Sequence, residues 1–298
     1  MIYTVTFNPA IDYMVQLEGA LRPGCLNRSV SEEYQFGGKG VNVSNVLQTL
    51  GHDTVALGFV AGFLGDDLER GLRDHGLITR FIHVAQGMTR INVKVKAEEE
   101  TELNGSGPVI TDGDMAQLYG QLDEMQPGDT LVLSGSVPSC LPDSTYAEIL
   151  AHLEGSGVQC VVDAAQELLT SALRYRPFLI KPNHHELGAL FGRELHSDRD
   201  IIVCAGALQE MGARNVLVSL AGDGALLLDE TGGCHRVRCP SGKVRNSVGA
   251  GDAMVAGFLA GWLERGNYSY ALKLGTAAGS ATAFSLGLAT RQEIEALL

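Results

Sequence analysis

The chain has few of the features that mark membrane, disulfide-stapled or nucleic-acid-binding proteins. No apolar run is long enough to span a bilayer. The six cysteines form no C-x-x-C pair, which disfavours a zinc site or a disulfide scaffold and favours reduced thiols in a cytoplasmic protein. Lysine and arginine number 22 against 35 acidic residues, a net charge of -13, so neither nucleic acid nor an anionic membrane is the expected partner.

What the chain does have is enough apolar sequence to bury a large core. Hydrophobic residues make up 45% of its 298 residues, and its 37 glycines suit tight loops close to bound ligands. The sequence starts directly in a strand-like run, and we expect no signal peptide. We therefore expect a single α/β domain over residues 1–298.

Short apolar runs alternate with helix-like segments along most of the chain. Six runs of strand character end at a polar or glycine residue, and they lie at 2–7, 54–60, 130–133, 158–162, 178–180 and 216–218. This order predicts a mostly parallel sheet with helices on both faces. Ligands bind such sheets beyond the carboxyl ends of the strands, where Asn8, Asp163 and Lys181 are therefore expected to gather.

Two regions interrupt this alternation and predict a second, smaller β-sheet. Residues 14–34 show no helical period, and residues 89–103 alternate like a hairpin with an acidic turn at 98–100. We expect a discontinuous β lid formed from about 12–35 and 87–107, which covers the site or makes a dimer contact.

The segment 246–252 carries the strongest chemical signal. Gly249, Ala250 and Gly251 stand directly before Asp252, and the apolar run 253–263 predicts a buried helix after them. Free N–H groups at the start of a helix can hold an anion, and a carboxylate beside a bound phosphate is what phosphoryl transfer to a hydroxyl requires. An N-cap aspartate on a core helix is the alternative interpretation.

A second glycine-rich segment, at 36–44, precedes another helix, predicted from about residue 41. It combines two adjacent glycines, Gly37 and Gly38, with the cation of Lys39. It is not a Walker A loop, because Lys39 is followed by Gly40 and not by serine or threonine. A plain glycine-rich turn with a solvated lysine is the alternative.

Further polar positions suit ligands but also have ordinary structural interpretations. Asp12 follows the first strand and can accept hydrogen bonds from sugar hydroxyls, and Arg90 at the base of the hairpin suits phosphate. Asn183 and Glu186 are three residues apart, and their oxygen atoms suit Mg²⁺ if a helix begins there. The glycines of 219–225 allow either a plain hairpin or the close approach of a nucleotide.

In these motifs the chain resembles the PfkB (ribokinase-like) carbohydrate kinases over nearly its whole length. The resemblance is carried by the early segment from Gly37 to Asn42 and by the late segment from Gly249 to Asp252, in this order. The segments 8–12, 89–94, 104–108 and 181–187 fit the subgroup of this family that acts on fructose 1-phosphate.

The resemblance implies a role for each matched position. Asp252 would be the general base, and the N–H groups of Gly249, Ala250, Gly251 and Asp252 would form an anion hole. The residues that hold the phosphosugar would be Asp12, Gly38, Lys39, Asn42 and Arg90. ATP would be bound by the anion-hole residues and by Asn183, Ser219, Gly222, Gly224, Ser247, Val248 and part of 277–281. Glu186 would hold Mg²⁺ through water.

The implied activity is ATP-dependent phosphorylation of the 6-hydroxyl of D-fructose 1-phosphate, which gives fructose 1,6-bisphosphate and ADP in fructose catabolism. The implied metal is Mg²⁺, and the implied assembly is a cytoplasmic homodimer through the lid. Tagatose 6-phosphate and fructose 6-phosphate are alternative acceptors within the family. An alternative of another class is a non-catalytic regulator that binds sugar phosphates, against which the intact segment ending at Asp252 argues.

Overall fold

The computed structural model describes residues 1–164 and 166–298. Its strands are β1 (Ile2–Thr6), β2 (Ala10–Leu17), β3 (Ser29–Gly37), β4 (Thr54–Val60), β5 (Ile78–His83), β6 (Arg90–Lys96), β7 (Thr101–Asn104), β8 (Thr130–Ser134), β9 (Gln159–Asp163), β10 (Leu179–Ile180), β11 (Asn215–Ser219), β12 (Ala225–Leu228) and β13 (Cys234–Val237). Nine of these strands form one sheet, and the other four form a separate sheet.

The larger sheet has the strand order β13-β12-β11-β10-β9-β8-β1-β4-β5. All neighbours from β11 to β5 run parallel, and only the two pairings of β12, with β11 and with β13, are antiparallel. Its central strands are continuously apolar because both faces are covered; all seven residues of β4 and all five of β8 are buried.

The helices are α1 (Lys39–Thr49), α2 (Gly62–Asp74), α3 (Asp112–Leu122), α4 (Thr145–His152), α5 (Gln166–Ala172), α6 (His184–Leu190), α7 (Asp198–Glu210), α8 (Ala250–Arg265), α9 (Tyr268–Phe284) and α10 (Arg291–Glu295), with short 3₁₀ turns at Leu173–Tyr175 and Ala221–Asp223. One face of the sheet packs against α3, α4, α5 and α7, and the other packs against α1, α8 and α9. None of the helices in the described part of the chain combines the length and the apolar composition of a transmembrane span.

The smaller sheet, which we call the lid, has the order β3-β2-β6-β7. The lid contacts the α/β core where Ile11 of β2 packs with Leu68 and Leu72 of α2. Side chains alternate between its two faces, so Asp12, Asn92 and Asn104, which are paired across β2, β6 and β7, share one face.

The predicted fold class is confirmed, since a mostly parallel sheet with helices on both faces accompanies a separate small sheet. The strands that the sequence did not predict, β5 and β13, lie at the two edges of the main sheet. Their residues are only partly buried, so they lack the continuous apolar run of a central strand.

Candidate active site

The carboxyl ends of the parallel strands meet at one side of the main sheet and open into two adjoining cavities. The larger one, here called the polar cavity, has a volume of about 570 Å³ and lies between this edge and the lid. The smaller one, the apolar cavity, has a volume of about 380 Å³ and lies beside α8 and α9. Asn183, Ser219 and Gly251 line both cavities, so the two are joined there.

The residues expected at the substrate all reach the polar cavity. Its walls include the predicted Asp12, Gly38, Lys39, Asn42, Arg90, Glu186, Val248, Gly249 and Asp252. The residues expected at the nucleotide are distributed over both cavities. The apolar cavity is lined by the three shared residues and by Gly222, Gly224, Ser247 and Ala250. Of the segment 277–281, Gly279 and Ser280 line it, whereas Ala277, Ala278 and Ala281 are buried in the core.

A left-handed glycine begins α8 at the junction of the cavities. Gly249 is the N-cap with φ +80°, and a Cβ there would lie 2.8 Å from Leu288 Cδ2. The Ala250 N–H donates to the Ser247 carbonyl at 3.2 Å. Among the described residues no acceptor takes the N–H groups of Gly251 or Asp252, so these are the donors of the first turn that are free for an anion.

Asp252 lies in that first turn and is almost fully enclosed. It is 5% exposed, and Asn42 Nδ2 donates to its Oδ2 at 2.8 Å. Burial, reinforced by the negative charge of Asp163, raises the pKa of Asp252 to about 7, although Lys39, Asn42 and Lys181 act in the opposite direction. A carboxylate with a pKa near 7 can take a proton from a hydroxyl at neutral pH.

Two lysines flank a second buried carboxylate next to Asp252. Asp163 at the end of β9 is 3% exposed, with Lys181 Nζ 3.3 Å from its Oδ1 and Lys39 Nζ 3.7 Å from its Oδ2. Asp163 raises the pKa of Lys39, and the ammonium of Lys39 is therefore charged at neutral pH. From the sequence we expected Asp163 and Lys181 at this edge of the sheet, because each directly follows an apolar run, but we assigned neither of them a role.

The lid contributes polar groups to the opposite wall. Asn92 Nδ2 donates to Asp12 Oδ1 at 2.9 Å, which leaves the other carboxylate oxygen of Asp12 for further donors. Arg90 Nε donates to the Asn8 carbonyl at 3.1 Å. Partial burial lowers the pKa of Arg90, against the influence of Asp12.

Asn183 and Glu186 do share one end of a helix, as the spacing predicted, but part of their hydrogen-bonding capacity is used there. They form a capping box on α6, in which each side chain accepts from the other's backbone N–H at 2.8 Å. No group of three histidine, cysteine or acidic side chains arranged to hold a metal occurs in the described part of the chain. The capping box leaves the other carboxylate oxygen of Glu186 without a protein donor among the described residues.

A polar and an apolar cavity meet at an enclosed carboxylate and a helix N-terminus. This arrangement, at the carboxyl edge of a parallel sheet, is suited to bring two ligands together, one of them anionic. The chain belongs to the pfkB family of carbohydrate kinases, whose family model matches residues 5–295. This confirms the resemblance found in the sequence and implies ATP-dependent phosphoryl transfer.

Three relatives illustrate the similarity. The 1-phosphofructokinase of Bacillus subtilis is 46% identical over 100% of this chain and 97% of its own length. The D-tagatose-1-phosphate kinase of Bacillus licheniformis is 39% identical over 97% of this chain and 94% of its own. The structure of phosphofructokinase-2 from Escherichia coli in complex with fructose-6-phosphate superposes with a TM-score of 0.91 at 30% identity, covering 99% of this chain and 97% of that one.

Proposed function

We propose that this protein phosphorylates the 6-hydroxyl of D-fructose 1-phosphate with ATP and releases fructose 1,6-bisphosphate and ADP. The observation that carries this proposal is the position of Asp252, an enclosed carboxylate with a raised pKa at the junction of the polar and apolar cavities. The similarity to the 1-phosphofructokinase of Bacillus subtilis, 46% over the whole chain, supports fructose 1-phosphate as the acceptor.

The apolar cavity has the composition that a nucleotide base requires. The small side chains of Gly279 and Ser280 leave room along α9, and Met254 and Phe284 supply apolar surface. From there ATP would extend past Ser219 towards α8, so that its phosphates meet the free N–H groups of that helix.

The polar cavity would hold the phosphosugar. Asp12 accepts from sugar hydroxyls through the oxygen that Asn92 leaves free, while Arg90 and Lys39 supply positive charge. The ion pair of Lys39 with Asp163 lies beside Asp252, which also suits Lys39 to the phosphoryl group in transfer.

The chemistry proposed for this geometry is general-base catalysis combined with charge stabilisation. Asp252 takes the proton of the 6-hydroxyl while the hydroxyl oxygen attacks the γ-phosphorus in line, and the bond from this phosphorus to the β,γ-bridging oxygen breaks to release ADP. The N–H groups of Gly251 and Asp252, with the Lys39 and Lys181 ammoniums, stabilise the negative charge on the transferred group. Closure of the lid would exclude water as a competing acceptor.

Mg²⁺ is proposed as the accompanying metal, with Glu186 as its protein contact through water. When bound with the nucleotide, this metal supplies positive charge to the phosphate oxygens. The oxygen of Glu186 that the capping box leaves free and the absence of a three-residue metal cluster among the described residues both favour such water-mediated contact.

D-Tagatose 1-phosphate is the second candidate acceptor. It is favoured by the 39% identity to the D-tagatose-1-phosphate kinase of Bacillus licheniformis. Fructose 6-phosphate stays an alternative through the 30% identical phosphofructokinase-2 structure, and tagatose 6-phosphate stays one from the sequence.

A coupled ADP-release assay with Mg·ATP and these four acceptors tests the proposal. We expect fructose 1-phosphate to be preferred about 100-fold or more in kcat/KM, which corresponds to roughly 2.7 kcal/mol of differential transition-state binding. A preference for another phosphosugar would refute fructose 1-phosphate as the substrate but would leave the kinase activity standing. No turnover with any phosphosugar would instead support the non-catalytic regulator.

We also propose that the smaller sheet acts as a lid and as the contact of a cytoplasmic homodimer. The lid face opposite the polar cavity carries one row of aromatic and apolar side chains, Tyr34, Tyr13, Val93 and Leu103. Tyr34 is 60% exposed and Leu103 62% exposed at the two ends of this row, an apolar surface that a second copy would cover. Sedimentation analysis of wild-type protein and of Leu103→Glu tests this: a monomeric wild type contradicts the dimer.

A further inference from the structure

A buried lysine on the inner face of the lid faces the polar cavity without a close anionic partner. Lys94 lies on β6, paired in register with Met14 on one side and Glu102 on the other. Because side chains two residues apart in a strand share a face, Lys94 projects on the same side as Arg90 and Asn92. All three line the polar cavity.

The charge of Lys94 is poorly compensated. The residue is 8% exposed, and its Nζ makes no hydrogen bond within the described part of the chain. Its ion-pair partner Glu102 lies 3.9 Å away and is itself 46% exposed. Lys181 is similarly buried but stands 3.3 Å from the buried carboxylate of Asp163. Burial of an ammonium without close pairing is unfavourable, so the surroundings of Lys94 are suited to an incoming anion.

The two lysines beside Asp163 are placed for a different task from Lys94 and its lid neighbour Arg90. Lys39 and Lys181 share Asp163 beside Asp252, where the phosphoryl group would be transferred. An acceptor phosphorylated at one end and attacked through its other end carries its own phosphate away from Asp252. A cation on the lid wall, such as Lys94, is placed to meet that second phosphate.

We propose that Lys94 recognises the phosphate that the acceptor already carries, and that Glu102 holds the ammonium until the acceptor binds. This inference rests on the proposed function and specifies how that site selects phosphosugars over sugars. A lysine ammonium offers three donors that rotate freely, which suits a phosphate oxygen. Glu102 is exposed enough to turn into solvent when the phosphate replaces it.

The test is the preference for a phosphorylated acceptor in Lys94→Met, which removes the charge and retains much of the length. With saturating Mg·ATP, kcat/KM is measured for fructose 1-phosphate and for fructose. We expect the ratio of the two to fall about 10- to 100-fold, the loss of one or two hydrogen bonds to a charged group. The loss should appear in the KM of the phosphosugar more than in kcat, and more than in the KM of ATP.

Lys96→Met is the matched control, because Lys96 lies on the same face of β6 two residues further out and does not line the cavity. Its ratio should match that of the wild type. Glu102→Gln is the second variant, and it should lower the KM for fructose 1-phosphate because the competing carboxylate is gone.

Ligand-induced thermal shifts separate recognition from a structural role. Without ATP, fructose 1-phosphate should raise the Tm of the wild type more than that of Lys94→Met. Without any ligand, the variant should melt no lower than the wild type, since a poorly paired buried charge has been removed. A lower ligand-free Tm together with an unchanged acceptor ratio would mean that Lys94 is structural.

An unchanged ratio, or equal losses with fructose 1-phosphate and fructose, overturns the inference and leaves the proposed function standing. Failure of the proposed function looks different, since the wild type itself would then prefer another acceptor. In that case the ratio is measured with the preferred phosphosugar and its dephosphorylated form. A wild type that uses no phosphorylated acceptor overturns both.

Discussion

Replacement of the enclosed carboxylate in Asp252→Asn should abolish most turnover and at the same time stabilise the fold. The carboxamide has nearly the same shape, and its oxygen can still accept from Asn42 Nδ2, so local packing is retained. Without a base, kcat should fall roughly 10²- to 10⁴-fold, the usual contribution of general-base catalysis. Binding of both substrates should be largely kept.

The stabilisation follows from the same pKa that suits Asp252 to catalysis. Its pKa rises from 3.8 to about 7 on folding, which corresponds to a destabilisation of the folded protein by at most roughly 4 kcal/mol at neutral pH. The folded protein binds the proton more tightly than the unfolded chain, so this group lowers the free energy of unfolding as pH rises from about 4 to about 7. Above that range the cost is complete, and below it the cost is absent.

Urea unfolding of wild type and Asp252→Asn between pH 4 and pH 8 measures this effect. The stability advantage of the variant should be small at pH 4, grow until about pH 7 and stay constant above it. Asp143→Asn, at an exposed position, is the control and should change neither turnover nor stability. Near-full turnover of purified Asp252→Asn would refute the base assignment, and an advantage independent of pH would refute the account of its burial.

Three further predictions concern the same site. The kcat/KM of the wild type should rise with pH through an acid limb centred near pH 7, because Asp252 must lose its proton to act; a profile flat from pH 5 to pH 8 contradicts this. Gly249→Ala should lower kcat by at least about tenfold, because the added Cβ would lie 2.8 Å from Leu288 at a φ of +80°. Gly266→Ala is the control: its φ is +57° and the space around it is open, so this substitution should affect stability alone. Arg90→Gln should raise the KM of the phosphosugar more than that of ATP. Equal effects on the two KM values would refute the role of Arg90 in binding the acceptor.

The sequence predicted the core of the fold well because its strands are buried on both faces. The run at 54–60 coincides with β4, and the other predicted runs differ from their strands by one residue at one or both ends. The edge strand β5, with the polar Arg80 between Thr79 and Phe81, gives no such run. Its place is decided by pairing with β4, which local periodicity does not reveal.

The residues of the site were predictable where glycine or a strand end marks them, and less so where partners decide their state. The motif predicted Asp252 at the start of a helix, but its raised pKa depends on burial and on the charge of Asp163, which is distant in the chain. Glu186 was expected to serve a metal, and the structure shows that one of its oxygens also caps α6. Lys94 belongs to the segment 89–94 that carries part of the family resemblance. Only the structure shows that its strand partner is Glu102 and that the two charges are 3.9 Å apart.

The charges at the junction of the cavities explain why a divalent cation should accompany the nucleotide. Asp163 and Asp252 are two buried carboxylates, and Lys39 and Lys181 are two ammoniums beside them, so the group is close to neutral when Asp252 is ionised. The lysines are therefore already matched by carboxylates before any ligand arrives. A triphosphate brings several further negative charges next to these buried side chains, where unpaired charge is costly. Lys39 and Lys181 cannot neutralise both these carboxylates and a triphosphate, so we propose that the further positive charge enters with ATP as a divalent cation.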